Sequence, residues 1–60
     1  MGLAKAQYNL GRMYATGEGV AVDFAKAKAL WTTAAAEGNK ESVDGLKWLK
    51  EQHERKNATH

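Results

Sequence analysis

The residues able to do chemistry are few and poorly placed for catalysis. His53 and His60 are the only imidazoles. A zinc site needs several convergent ligands at tight spacing. Glu51 and Glu54 stand near His53, but on a helix they point to different faces. Glu18 and Asp23 flank a glycine turn, where a solvated charge and a helix cap outweigh a catalytic pair. Cysteine is absent and Ser42 is the only serine, so neither a Ser-His-Asp nor a Cys-His set can be assembled. Gly17 and Gly19 follow a helical pattern with no strand before it, which does not support a phosphate loop. Asn57-Ala58-Thr59 matches a glycosylation sequon, read as coincidence because no secretion signal accompanies it. No cofactor or metal site is expected.

What remains is binding. Lys5, Asn9, Arg12 and Thr16 form one polar helical stripe, able to hydrogen-bond a partner's backbone or acidic side chains. The plainer reading is a solvated helix face. Trp48 lies off the apolar face of its own helix, either as an interface anchor or as a lid folded over a neighbour. Tyr8, Tyr14, Phe24 and Trp31 read as core packing in preference to an aromatic ligand box. Lys47, Lys50, Arg55 and Lys56 around Trp48 are the one basic-aromatic cluster, suited to phosphates and a stacked base. Glu51 and Glu54 interrupt it, and the spacings Lys47–Glu51 and Lys50–Glu54 absorb part of its charge.

These residues need elements to hold them. Sixty residues, 43% of them hydrophobic, make one small helical domain at residues 1–60 and argue against disorder. A net charge of +2 falls short of a nucleic-acid footprint. No run approaches a membrane span of about 18 apolar residues. No signal peptide is visible, so the default expectation is cytoplasmic.

A first helix is expected from about Leu3 to Ala15, its apolar arc led by Leu3, Ala6, Leu10 and Met13. Gly17 and Gly19 end it by adopting positive φ. Asp23 caps a second helix with Phe24, Ala27, Leu30, Trp31, Ala34 and Ala35 on one face, stopped by Gly38-Asn39. Small residues at Gly11, Ala27, Ala34 and Ala35 mark where the two helices approach closely. A third helix is expected over about residues 40–54, with Val43, Leu46, Leu49 and His53 on one face and Gly45 costing about 1 kcal/mol. Residues 55–60 read as a frayed tail.

The sequence also repeats. Gly2 and Gly38 stand 36 positions apart, and the same offset lays Leu46 on Leu10 and Leu49 on Met13. Thirty-six residues are a whole number of helical turns, so the faces superimpose. Lys5, Asn9, Arg12 and Thr16 then correspond to Glu41, Gly45, Trp48 and Gln52. Residues 6–14 (AQYNLGRMY), 17–20 (GEGV), Asp23, Lys26-Ala27, Trp31 and 34–39 (AAAEGN) closely resemble the Sel-one-like repeat, a longer relative of the tetratricopeptide repeat. The match spans residues 4–39 and weakens afterwards, where Lys47 and Asp44 stand in the places of Gly11 and Tyr8. The third helix therefore reads as a terminal cap, or the end of an array, more than as a second full repeat.

The resemblance implies an all-α fold: an α-solenoid unit, an antiparallel helix-turn-helix repeat plus a third capping helix. It implies a protein–protein interaction or scaffold module without catalysis. The expected partner-binding residues are Lys5, Asn9, Arg12 and Thr16, and the expected partner is a protein or peptide. One alternative is an excised or engineered repeat module that mainly self-associates; Met1-Gly2 begins directly inside the repeat pattern. Another is a weak nucleic-acid binder through the basic third helix. One and a half repeats leave faces bare, so a homo-oligomer is expected, a closed dimer through Tyr8, Leu46, Trp48 and Leu49.

Overall fold

The computed structural model describes residues 2–58, with side chains as far as residue 52. Three helices follow in order: α1 (Gly2–Thr16), α2 (Phe24–Ala36) and α3 (Lys40–Ala58). No strand occurs among the described residues. Helix α2 packs against both others, whereas α1 and α3 meet only slightly. Contacts pair Tyr14 with Asp23 and Tyr8 with Trp31, then Phe24 with Trp48 and Trp31 with Gly45. Sequence number falls on one side of each pairing as it rises on the other, so both neighbouring pairs are antiparallel. The molecule is one helix layer, 13 Å in its thinnest extent, close to the width of a single helix with side chains.

Local chemistry fixes the junctions. At the end of α1 the Met13 carbonyl accepts from Gly17 N at 2.8 Å and Glu18 N at 3.1 Å, with Gly17 at φ +76° and Gly19 at +79°. The turn closes when Asp23 N donates to the Tyr14 carbonyl at 2.9 Å. Asp23 then caps α2, its Oδ1 accepting from Lys26 N at 3.1 Å. At the far end Asn39 N donates to the Ala34 carbonyl and Gly38 N to the Ala35 carbonyl, with Gly38 at φ +95°. That pair of bonds is the Schellman closure, which needs a left-handed residue and so favours glycine. Asn39 next caps α3, its Oδ1 accepting from Ser42 N at 2.7 Å and Ser42 Oγ at 2.8 Å. The lone serine is thus a fully buried helix-start residue.

Two expectations about faces need correction. The side of α1 turned to α2 carries Ala4, Tyr8, Gly11 and Ala15, while Leu3, Ala6 and Leu10 are exposed and Met13 is half-buried. Helix α2 brings Trp31 to the interface, where Tyr8 stacks on its ring and a Cβ at Gly11 would lie 2.5 Å from its Nε1, so α1 has no room for a larger residue at position 11. Phe24 leaves the α2 core face and stands 40% exposed. Helix α3 also runs past the expected end near Glu54 to Ala58. Residues 46–58 contain no glycine or proline to stop it.

Candidate functional site

Trp31 is the floor on which the site is built. It is 3% exposed and touches all three helices. Its Nε1–H donates to the Tyr8 carbonyl at 2.9 Å, and its ring stacks on Tyr8 at a centroid distance of 6.0 Å. A Cβ added at Gly11 would lie 2.5 Å from Trp31 Nε1, and one added at Gly45 would lie 2.7 Å from Cε3. The indole is therefore held between two glycines, one on each flanking helix. Ala15, Ala27 and Leu49 complete the buried cluster, with Tyr14 and Leu46 packed against it.

Because α1 and α3 flank α2 but scarcely meet, an open groove of about 580 Å³ runs between them above Trp31. Tyr8, Arg12, Ala15 and Thr16 line the α1 wall; Glu41, Asp44, Gly45 and Trp48 line the α3 wall. Arg12 gives the groove one cation and Glu41 and Asp44 give it two carboxylates. Thr16 Oγ1 donates to the Arg12 carbonyl at 3.0 Å, so its proton is spent on its own helix and the hydroxyl is left as an acceptor. Trp48 packs its ring against Phe24 at 6.0 Å and 78°, yet remains 40% exposed. Each reading of Trp48 from the sequence captures part of this: it folds over a neighbour and still offers indole surface to solvent.

Of the four stripe residues, Arg12 and Thr16 lie in the groove. Lys5 and Asn9 are exposed on the same helix but outside its lining. Glu41 and Asp44 were not singled out from the sequence. The 36-residue offset carries the signal for the α3 wall, since it aligns the polar stripe of α1 with Glu41, Gly45 and Trp48.

The residues expected to self-associate are differently placed. Leu49 is buried within the chain and Leu46 is half-buried, both against the cluster around Trp31. The premise that α3 leaves Leu49 uncovered is corrected: α2 covers it. Tyr8 is half-buried on Trp31. Lys47 and Lys50 are exposed, whereas the side chains of His53, Glu54, Arg55, Lys56 and Asn57, and His60 altogether, lie outside the described residues. Trp48 shares its groove with Glu41 and Asp44, carboxylates that repel phosphate. Among the described residues no three His, Cys, Asp or Glu side chains converge as a metal site. No described helix is long and apolar enough to cross a membrane.

A family model described as Sel1 repeat matches residues 4–39. No curated protein and no solved structure matches the chain. Sel1 repeats generally mediate protein–protein interaction and form a non-catalytic scaffold class.

Proposed function

This chain belongs to the Sel1 repeat family, and on that premise we propose that it is a protein-interaction module which holds a protein or peptide partner in the groove between α1 and α3 and carries out no catalysis itself. The observation that supports this reading is the groove's composition: Arg12, Thr16, Glu41, Asp44 and half-exposed Trp48 above a fixed aromatic floor. Charged and hydrogen-bonding groups of both signs give a peptide directional contacts, and the exposed indole gives it an apolar anchor. Lys5 and Asn9 extend the polar stripe of α1 along the helix, where a partner longer than the groove would reach them. The rigid floor supports tight binding, because side chains held in place lose little freedom on complex formation.

The test is partner capture by the intact chain and by Arg12→Glu, followed by amide shift mapping of the bound chain. A specific partner that is lost with Arg12→Glu, while the melting temperature holds, supports the groove. Shifts confined to Lys26, Lys28 and Thr32 on α2 would move the interface to the other side of the molecule and end the proposal.

A further inference from the structure

The two walls of the groove differ in chemistry. On α3, Glu41, Asp44 and Trp48 follow at steps of three and four residues, so they stand in one row along the helix. Two exposed carboxylates and an indole therefore lie successive turns apart on the same wall. On α1 the only charge in the lining is Arg12. Lys40 and Lys47 are exposed on α3 but do not line the groove. The floor and both walls belong to this chain, and Trp31 sets their register by lying against Gly11 and Gly45. Arg12 directly follows Gly11 and Asp44 directly precedes Gly45, so opposite charges flank the indole floor from opposite walls.

Resting on the groove as the binding surface, we propose that its partner is a peptide segment carrying an arginine, whose guanidinium lies on Trp48 and pairs with Asp44 and Glu41. Three properties of the row select that group. First, the lining holds two carboxylates against one guanidinium, an excess of negative charge that complements a cation. Second, an indole face attracts a cation, so Trp48 acts with the carboxylates. Its contact with Phe24 at 78° holds the ring in place and leaves it 40% exposed, ready to be covered. Third, a planar guanidinium can stack on a ring while its in-plane N–H groups reach carboxylates, which the compact ammonium of lysine does not do. Arg12, across the groove, donates to the backbone carbonyls of the same segment. From Tyr8 to Thr16 the α1 wall runs about 12 Å along the helix. That is the length of about four extended residues, so one arginine and its immediate neighbours fill the groove.

The probe is a capped four-residue peptide of alanine with one arginine, compared with the same peptide carrying lysine or glutamate in that place. Each is titrated into the intact chain to about 10 mM, a range that captures weak binding, while amide and indole N–H shifts are followed. The arginine peptide should shift residues 41–48 and the Trp48 indole saturably, with lysine weaker and glutamate weakest. Glu41→Gln with Asp44→Asn removes two ion pairs at exposed positions and should weaken the arginine peptide by about tenfold. Both sites lie outside the buried cluster, so far-ultraviolet circular dichroism should be unchanged. Trp48→Leu, a second variant, keeps both carboxylates and removes the ring; it should weaken the arginine peptide by about threefold and leave the glutamate peptide unaffected. A glutamate peptide that binds the groove as tightly as the arginine peptide would overturn the choice of partner and leave the groove as a binding surface. So would arginine binding indifferent to both variants. No shift with any of the three peptides would also overturn it, with the groove itself still judged by partner capture with Arg12→Glu. Shifts confined to Lys26, Lys28 and Thr32 would end both readings together.

Discussion

Gly45→Ala sets helix propensity against packing. In an exposed helix interior the change stabilises by about 1 kcal/mol, because alanine loses less backbone freedom on folding. At Gly45 the new Cβ would lie 2.7 Å from Trp31 Cε3 and 2.8 Å from both Cδ2 and Cζ3. Carbon atoms rest at about 3.5–4.0 Å, so the ring or the helix must give by about 1 Å. The ring has no slack on its other side, where it lies against Gly11, and its Nε1–H is tied to the Tyr8 carbonyl at 2.9 Å. Withdrawing α3 instead would uncover Leu49, which is 7% exposed. Overpacking of this kind costs about 1–3 kcal/mol. Set against the propensity gain, the net is a loss of up to about 2 kcal/mol. For a domain this small each 1 kcal/mol moves Tm by about 4–8 °C, so the variant should melt several degrees lower by circular dichroism. A variant that melts higher, by the amount propensity alone implies, would refute the claim that Trp31 is fixed between two glycines.

Gly11→Leu should cost more than Gly45→Ala, because it also displaces the indole from its hydrogen bond to Tyr8; urea unfolding of the two variants side by side checks the order. Gly17→Ala combines a positive φ with a Cβ 2.7 Å from Val22 Cγ2, whereas Gly38→Ala meets a positive φ in open space; both should destabilise, Gly17→Ala the more, by thermal melting. Asn39→Ala removes the cap of α3 and strands the buried Ser42 hydroxyl, a loss of about 1–3 kcal/mol by denaturant titration. Gln7 Oε1 is buried with no hydrogen-bond partner, so Gln7→Met should leave the melting temperature unchanged or raise it.

The sequence made the junctions legible because each rests on one residue's own chemistry. Asp23 caps α2, and Gly17, Gly19 and Gly38 take positive φ whatever the helices do elsewhere. The faces were harder. An apolar arc is weighted by its largest members, and Leu3, Leu10 and Met13 outweigh Ala4 and Ala15 in it. The inner side of α1 is set by Trp31 on a different helix, and only the absence of bulk at Gly11 hinted at it. Gly45 read as a cost for the same reason: its partner is distant in sequence. The groove was half legible. Arg12 and Thr16 stood out as a polar stripe, but Asp44 enters from a helix whose own pattern gave it no role. The pairing of Phe24 with Trp48 joins residues 24 apart in the chain, beyond the reach of any helical periodicity.

Trp31 and Trp48 also make the molecule report on itself. One indole is dry and hydrogen-bonded to a backbone carbonyl, and the other stands at the groove wall in contact with water. Intrinsic fluorescence is therefore a sum of a blue-shifted and a red-shifted emitter. Iodide, a charged quencher confined to solvent, dims the second and spares the first. An occupied groove alters the accessible emitter while the sheltered one holds steady, whereas loss of the fold merges the two. A single cuvette can thus tell ligand capture from unfolding without a label.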